Sequence, residues 1–453
     1  MKLYNSLTRK TEELGFSKST VVNMYVCGVT PYSASHLGHA MCAVVFDVLR
    51  RYIEHKGYQI NHVQNFTDID DKMIESANGQ GITVEELADR NIFEYLDELR
   101  TLNVKPATHY PRATQEIPSI ITLIAGLVKK NYAYESNGDV YFRVREDGDY
   151  GKLSGRKLED LIAGARIDPT ESKEYPGDFA LWKKKKPREP YWDSPWGPGR
   201  PGWHVECSAM SLSYLENRID IHGGGQDLVF PHHENEIAQS ESYTGQIPFS
   251  RFWVHNGTLN FGEEKMSKSL GNIFSTKHAI AKFSPDALRM FFLSSHYRSP
   301  LLFNQDSINS QERALVRLKK SVLMPSGGGT LLDAQPYLEK FSRAMDQDLN
   351  TPQALGAIFD LARAINRASD ENGDVASCQQ ELLTLTKILG LTLKSDESSQ
   401  DKSAKPFIEL LVDIRASLRS NKQFELSDLI RDELSKMGVK IDDSQTGSEW
   451  EFE

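Results

Sequence analysis

The chain has 453 residues, of which 39% are hydrophobic, and its formal net charge at pH 7 is -10. This length exceeds what one hydrophobic core usually supports, so we expect two to four domains. No apolar run approaches the length of a membrane-spanning helix and the first ten residues lack a signal-peptide core, so we expect a cytoplasmic protein without a membrane partner. The 4 cysteines are scattered, which favours thiol or metal chemistry over disulfides.

A strand, a turn and the start of a helix form the segment around which the chain is organised. Residues 21–27 predict a buried strand, and a turn at Gly28 leads to the sequence His36-Leu37-Gly38-His39. The following residues predict a helix because apolar side chains recur at three- and four-residue spacing: Met41, Val44, Val45, Val48, Leu49 and Tyr52. A helix N-terminus after a strand can cradle phosphate, and two imidazoles add hydrogen-bond donors for an anionic ligand.

A second strand is predicted over residues 58–66, which completes a β-α-β unit. Thr67 then precedes an acidic cluster of Asp68, Asp70 and Asp71. Three carboxylates can bind a metal, but acidic residues at the start of a helix are more often caps that also favour the helix dipole. We therefore interpret this cluster as helix capping, with helices around Ile74 and over residues 84–102.

The sequence changes character between residues 106 and 201. A helix over 117–130 and a short strand over 139–144 lead into polar, Gly- and Pro-rich sequence, which indicates an insertion within a larger α/β domain. The basic run 183–188 is followed by the aromatic residues Tyr191, Trp192 and Trp196. Such a combination of cationic and aromatic side chains can bind a single-stranded nucleic-acid end. A solvated loop with core-capping tryptophans is an equally good interpretation, and the net negative charge argues for caution.

The second half of the α/β domain begins near Gly202-Trp203-His204-Val205-Glu206-Cys207. A strand over 219–222 runs into three glycines, where the backbone can approach a ligand closely. Asp227 follows, placed to accept hydrogen bonds from a ribose or an amine. Pro231 suits the first position of a helix, which would project His232 and Glu236 from one face.

Four residues from the two halves predict a metal site: Cys27, Cys207, His232 and Glu236. Two side chains on one helical face, such as His232 and Glu236, are weak evidence for a metal site by themselves. Two cysteines complete a mixed sulfur, nitrogen and oxygen set, which suits four-coordinate zinc. Because the set is spread over both halves, they must fold together before the ion binds.

A strand over 250–255 is followed by Lys265-Met266-Ser267-Lys268-Ser269, bounded by Gly262 and Gly271. Two lysines with hydroxyl residues between them suit a mobile clamp on a polyphosphate. From Ser284 onward the pattern is helical. It is interrupted by a predicted flexible joint at 325–329 and a predicted linker at 394–405, and two more helices follow over 407–437.

These motifs together resemble the class I aminoacyl-tRNA synthetases, and within them the branch specific for cysteine. Residues 25–39, 202–236 and 265–272 carry the resemblance. The implied fold class is α/β, with a Rossmann-like parallel-sheet catalytic domain split by an insertion and followed by helical domains. The implied parts are a first catalytic half (1–105), an inserted connective domain (106–201), a second catalytic half with the lysine loop (202–300), a helical stem and bundle (301–394) and a C-terminal anticodon-binding domain (395–453).

The resemblance implies that ATP and L-cysteine give cysteinyl adenylate, and that the cysteinyl group then passes to tRNA(Cys). One Zn2+ per chain would select the substrate thiol, Mg2+ would accompany ATP, and we expect a monomer. Catalysis is assigned to His36, His39, Lys265 and Lys268, ATP binding to Gly38, Asp227 and Lys268, and substrate binding to Gly28, Thr67, Trp203 and His222. For Trp203 and His222, packing in the core is an equally good interpretation.

Two other functions remain open from the sequence. A cysteine ligase of mycothiol synthesis resembles the same catalytic core but lacks a full anticodon-binding end, so the region beyond Ser326 favours tRNA. A non-catalytic regulator that binds zinc and nucleotide would catalyse no exchange of pyrophosphate into ATP. A zinc hydrolase is less attractive, because four protein ligands leave no ready position for an activated water.

Overall fold

The computed structural model describes residues 1–16, 21–158, 173–215, 219–261, 275–393, 397–444 and 447–452. The predicted lysine loop, with Lys265 and Lys268, lies outside these residues. Two compact units divide the chain, one over 1–393 and one over 394–453. Within the described ranges, no helix has both the length and the apolar character needed to cross a membrane.

The strands, in chain order, are β1 (Lys2–Asn5), β2 (Lys10–Glu13), β3 (Val22–Val26), β4 (Ile60–Gln64), β5 (Ala133–Ser136), β6 (Asp139–Phe142), β7 (Phe179–Lys184), β8 (Gly199–Pro201), β9 (Ile219–Gly225), β10 (Ser250–Asn256), β11 (Leu259–Phe261), β12 (Leu301–Phe303), β13 (Val439–Ser444) and β14 (Gly447–Phe452).

The α-helices, in chain order, are α1 (Leu37–His55), α2 (Asp71–Gln80), α3 (Val84–Thr101), α4 (Ile117–Lys129), α5 (Trp203–Leu215), α6 (Glu234–Thr244), α7 (Thr276–Lys282), α8 (Pro285–Leu293), α9 (Gln305–Val322), α10 (Gln335–Asp346), α11 (Thr351–Asp370), α12 (Ala376–Ile388), α13 (Glu397–Ser420) and α14 (Phe424–Lys436).

The central sheet of the larger unit is parallel and has the strand order β10-β9-β3-β4. β3 pairs with β4, its neighbour in the first β-α-β unit, and also with β9, which follows the insertion. Met24 of β3 therefore lies between His62 and Ile221. This arrangement confirms the Rossmann-like sheet split by an insertion, and it places the ends of β3 and β9 side by side.

Helix α1 covers this sheet with the apolar stripe that its spacing predicts, since Val44, Val48 and Leu49 are buried in the main core. The same core extends to the helices after residue 285, including Phe291, and continues through α12 at Leu382. Burial of these large apolar side chains is the main contribution to the stability of the unit.

The insertion forms its own antiparallel sheet in the order β5-β6-β7-β8. Phe142 and Trp182 are buried in a core that α4 also lines. Lys183, the first residue of the basic run, forms an ion pair with Asp71 at 2.6 Å. The five-part division of the chain stays a prediction.

Three local predictions from the sequence are wrong. The regular helix predicted from Pro231 begins three residues later at Glu234, because Phe230 has an extended backbone within the preceding turn. The joint at 325–329 is tied to the loop before α12, where Gly327 and Gly329 donate to backbone carbonyls of Gly373 and Asn372 at 2.8 and 2.9 Å. The linker predicted over 394–405 is helical from Glu397.

The smaller unit contains α13 and α14, as the sequence predicts, and an antiparallel hairpin of β13 and β14 that the sequence analysis missed. Its core joins both kinds of element through Ile408, Val412, Leu434, Val439 and Ile441.

Candidate active site

The four predicted metal donors converge at the carboxyl edge of the central sheet. Cys27 is the first residue after β3, Cys207 lies on α5, His232 lies in the turn before α6, and Glu236 lies in the first turn of α6. One donor atom from each lies within 4.8 Å of the others, and all four residues are buried. Parallel strands gather ligand-binding groups at this edge, which explains why distant residues meet there.

Contacts among the donors centre on Glu236. The Cys27 thiol donates to Glu236 Oε1 at 3.3 Å, and His232 Nε2 lies 3.1 Å from the same oxygen. The other ring nitrogen of His232, Nδ1, lies 3.0 Å from His204 Nδ1. Each donor is thus held by a neighbour before any ion is considered.

Burial and the charges of neighbouring donors shift the pKa values of the cluster strongly. Burial raises the pKa of the Cys27 thiol, and nearby Cys207 adds to this. Burial also opposes ionisation of Cys207, but the hydrogen bond from Cys27 and the charge of His232 outweigh it and lower the Cys207 pKa to about 6. Although burial opposes protonation of His232, Cys207 and Glu236 raise its pKa to about 10.

The residues present fit a metal ion. Glu236 Oε2 is buried and accepts no well-aligned hydrogen bond within the described parts of the chain, and Nε2 of His222 lies 3.3 Å from it. A second set, Cys27, His222, His233 and Glu236, is equally close-packed around the same carboxylate. Two sulfurs, imidazole nitrogen and a carboxylate oxygen are donors that zinc accepts together. The cluster is therefore a possible metal site of the kind the sequence predicts.

The predicted phosphate site begins at the N-terminus of α1. The rings of His36 and His39 stack with a centroid separation of 3.6 Å. Burial lowers the pKa of both imidazoles, that of His39 to about 3 with a contribution from His36. Both are therefore neutral at pH 7, and each can still donate one N–H to an oxygen. A Cβ on Gly38 would crowd the ring of His36.

Asp227 lies in the turn after β9 and is exposed, and its charge raises the His36 pKa that burial lowers. The predicted ATP contact Asp227 and the predicted catalytic residue His36, one from each half of the domain, are therefore close enough to interact electrostatically.

Gly28 and Thr67 follow the two neighbouring strands β3 and β4. A Cβ at Gly28 would overlap the carbonyl oxygen of Asn65, so the close approach of the two chains requires glycine here. The Asn65 side chain accepts from the Gly28 N–H at 2.9 Å, and the Thr67 N–H donates to the Val29 carbonyl at 3.2 Å. Gly28 adjoins Cys27 in sequence, and Thr67 is bonded to the backbone two residues after Cys27.

Trp203 and His222 have different environments. Trp203 is 38% exposed, so the core interpretation is wrong for it, and its ring lies 4.4 Å from that of His232. His222 is fully buried, stacked at 4.2 Å on Trp253, with Nε2 3.6 Å from Cys27 Sγ. His222 combines both interpretations, since it is packed in the core and also contacts a metal donor.

One member of the acidic cluster after β4 caps a helix, which confirms the capping interpretation for Asp70. The Asp70 carboxylate accepts from the N–H of Met73 at 2.6 Å at the start of α2. Asp68 accepts from the backbone and hydroxyl of Thr114 at 2.9 and 2.6 Å.

Sequence reasoning missed several residues behind the donors. His204 contacts His232, and His233 Nδ1 lies 2.7 Å from His255 Nε2, whose other nitrogen contacts Ser6 at 2.7 Å. The signal for both residues was available, because His233 follows the predicted donor His232 and His204 lies three residues before the predicted donor Cys207. No local pattern marks His255, whose role depends on the pairing of β9 with β10.

Comparison with known families agrees with the fold and the site described above. The family described as "tRNA synthetases class I (C) catalytic domain" matches residues 14–313, and the DALR domain family matches residues 340–394. A solved structure of Mycobacterium tuberculosis methionyl-tRNA synthetase in complex with methionyl-adenylate shares the fold, with a TM-score of 0.60 at 17% identity over 86% of this chain and 94% of that one. The molecule is a class I aminoacyl-tRNA synthetase.

Curated relatives define the branch. A cysteine--tRNA ligase of Dehalococcoides mccartyi is 52% identical over 455 residues, covering 100% of this chain and 99% of its own. One from Carboxydothermus hydrogenoformans is 48% identical over 99% of both chains, and one from Thermococcus onnurineus is 44% identical over 99% of this chain and 98% of its own. The chain belongs to the cysteine--tRNA ligase family.

Proposed function

We propose that this enzyme activates L-cysteine with ATP and Mg2+ to form cysteinyl adenylate, then transfers the cysteinyl group to tRNA(Cys), with a zinc ion selecting the thiol. The observation that carries the proposal is the convergence of Cys27, Cys207, His232 and Glu236 at the carboxyl edge of the sheet, where the connection from β3 leads into α1. A thiol-binding centre and a phosphate-binding centre then share one crevice, which is what joining cysteine to a nucleotide requires.

Zinc held by these four residues would take the substrate thiolate as a further ligand, because soft sulfur binds it better than a hydroxyl that stays protonated. Serine differs from cysteine by one atom, and an apolar pocket alone discriminates weakly between such substrates. The exposed Trp203, whose ring lies 4.4 Å from that of His232, would cover the side chain of the bound amino acid, and Gly28, Thr67 and His222 would line the pocket.

The substrate carboxylate attacks the α-phosphorus, so the protein supplies no nucleophile. His36 and His39, both neutral at pH 7, donate N–H groups to phosphate oxygens as their charge grows. Asp227 accepts hydrogen bonds from the ribose, and Gly38 lets the nucleotide approach the N-terminus of α1. Orientation and charge stabilisation therefore provide the catalysis.

The proposal also includes Lys265 and Lys268, whose role is inferred from the sequence alone. They would neutralise the departing pyrophosphate, Lys268 more directly, as positively charged clamps do in phosphoryl transfer. Their contribution to ATP binding should therefore grow during the reaction.

The two alternative functions have less support. The curated relatives match this chain over its whole length, including the helical region that a mycothiol-type ligase would lack. A non-catalytic regulator has no need of two imidazoles stacked at a helix N-terminus opposite an acidic residue.

Cysteine-dependent exchange of labelled pyrophosphate into ATP, measured with each of the twenty amino acids, tests the proposal. We expect exchange with cysteine alone, charging of tRNA(Cys), and about one zinc per chain by elemental analysis. Exchange without tRNA charging would support the mycothiol-type ligase. Absence of exchange with every amino acid would support the regulator.

A further inference from the structure

Glu234 is a buried carboxylate on the metal-binding segment that the proposed mechanism leaves without a role. It lies between His232 and Glu236 in sequence and is 1% exposed. Both of its oxygens accept hydrogen bonds from the insertion. Oε1 accepts from the N–H groups of Gly151 at 3.1 Å and Leu153 at 3.2 Å, and Oε2 accepts from that of Ser154 at 2.7 Å.

The same loop of the insertion also contacts residues that lie before and after Glu234 in sequence. The Tyr150 hydroxyl donates to the side-chain oxygen of Asn235, and the Arg156 guanidinium lies 4.5 Å from the centre of the Phe230 ring. Gly151 has a φ of +97°, and a Cβ there would overlap the carbonyl oxygen of Arg156. The loop is therefore tightly folded, with its N–H groups directed to one carboxylate.

The turn before α6 needs such external contacts. Phe230 interrupts the helical backbone with φ -141° and ψ 131°, so regular α-helical hydrogen bonds begin only at Glu234. His232 lies within this turn and Glu236 lies two residues after Glu234. Charge-assisted bonds to a buried carboxylate are stronger than neutral ones, and their loss leaves buried N–H groups unsatisfied.

We propose that Glu234 is a positioning residue that connects the insertion to the metal centre. By binding residues 151–154, it fixes the start of α6 and so sets His232 and Glu236 at the correct distance from Cys27 and Cys207. The insertion thereby contributes to metal affinity although it supplies no donor. The inference rests on the proposed zinc site.

The test is the zinc affinity of full-length Glu234→Gln, measured by competition with a chromophoric chelator. Glutamine keeps the size of the side chain but presents an NH2 group to N–H donors, so we expect zinc to bind at least tenfold more weakly. Asp178→Asn is the matched control. Asp178 is another buried carboxylate of the insertion, 2% exposed, and it accepts from the N–H groups of Val144 and Tyr175, both at 3.1 Å, without contacting residues 151–154. We expect its zinc affinity within twofold of wild type.

Gly151→Ala is the second variant, because it distorts the loop and leaves every residue of α6 unchanged. We expect it to weaken zinc binding too, and to shift the thiolate-to-metal absorption of the cobalt-substituted protein. If Glu234→Gln does not fold, as shown by circular dichroism, this variant decides the question.

Wild-type zinc affinity in both Glu234→Gln and Gly151→Ala would overturn the positioning role. Equal loss in Glu234→Gln and Asp178→Asn would also overturn it, because the effect would then be general destabilisation of the insertion. Wild-type protein that binds no zinc would instead overturn the zinc proposal itself, so the two failures are distinguishable.

Discussion

The four donor side chains depend on one another at the scale of single residues. Glu236 Oε1 contacts both Cys27 and His232, and the hydrogen bond from Cys27 helps to lower the pKa of Cys207 to about 6. Removal of one member therefore changes the charge state of the others. A buried charge that loses its partner is costly, and for this reason single substitutions here should be severe.

Cys207→Ser should lower zinc occupancy and reduce the preference for cysteine over serine in pyrophosphate exchange. A serine hydroxyl is a poor zinc ligand because it stays protonated at pH 7. Elemental analysis of the purified protein gives the occupancy. Cys378→Ser is the control, since Cys378 is buried on α12 and bonds to the Leu332 carbonyl. Unchanged zinc in Cys207→Ser would remove Cys207 from the site.

His62 provides a prediction about pH. Burial lowers its pKa to about 3, helped by the charge of Arg50, whereas the unfolded chain has an ordinary value near 6.5. Because the unfolded state binds more protons between these values, stability falls as the pH falls below about 6.5. From pH 7 to pH 5 the His62 contribution to the free energy of unfolding should fall by about 2 kcal/mol.

Urea unfolding at the two pH values measures this contribution. The free energy of unfolding of His62→Phe should fall less between pH 7 and pH 5 than that of wild type. The comparison uses this change with pH and not the absolute stability of either protein. His55→Gln, at the exposed end of α1, should behave as wild type. An unchanged pH dependence in His62→Phe would assign the acid sensitivity to other groups.

At the scale of elements, the residue before the start of α1 is hydrogen-bonded to two other helices. The Ser35 hydroxyl donates to Glu98 of α3 at 2.5 Å and lies 2.6 Å from the Thr276 hydroxyl of α7. The Thr276 N–H also donates to the Ser35 carbonyl at 3.1 Å. This buried network fixes the residue that precedes His36, so it should influence the phosphate site.

Ser35→Ala should lower kcat of cysteine-dependent exchange about tenfold with a smaller change in KM for cysteine, because loss of one buried hydrogen bond worth about 1 kcal/mol loosens His36. Steady-state exchange kinetics provide both constants. Ser76→Ala, which removes a comparable bond to the Tyr32 carbonyl at 2.8 Å, should leave kcat within twofold. Equal effects of the two substitutions would contradict a specific role for the network.

At the scale of the whole molecule, the last residues of the larger unit are hydrogen-bonded to a helix of the same unit. Asp286 of α8 accepts from the backbone N–H groups of Thr392 and Leu393 at 2.9 and 2.8 Å. Arg289 of the same helix donates to the Leu389 carbonyl at 3.1 Å and to Asp47 of α1 at 2.6 Å. These contacts lie within residues 1–393 and do not require the smaller unit.

A chain that ends at Leu393 should therefore keep pyrophosphate exchange within about twofold and lose at least 99% of tRNA charging, since exchange uses only the larger unit. Both activities are measured on the same preparation, and thermal unfolding checks that the shortened protein is folded. Loss of exchange in a folded protein would mean that the smaller unit supports the catalytic region.

Local signals predicted the elements better than their arrangement. The spacing of Val44, Val48 and Leu49 identified α1, and Cys27 and Cys207 identified the donor cluster because few residue types bind soft metals. The turn before α6 was mispredicted since Pro231 fits a helix start as well as an irregular turn. Neither the contact of His255 with His233 nor the bonds from residues 151–154 to Glu234 has a local signature, because both depend on tertiary packing.

The pairing of β3 with β9 has a consequence for biosynthesis. Cys27 leaves the ribosome 209 residues before Glu236. At a synthesis rate of 5–20 residues per second, this separation corresponds to roughly 10–40 seconds. During that interval β3 lacks one neighbour and the thiol that follows it lacks its companions, so the proposed metal site is completed late and depends on translation of the second catalytic half.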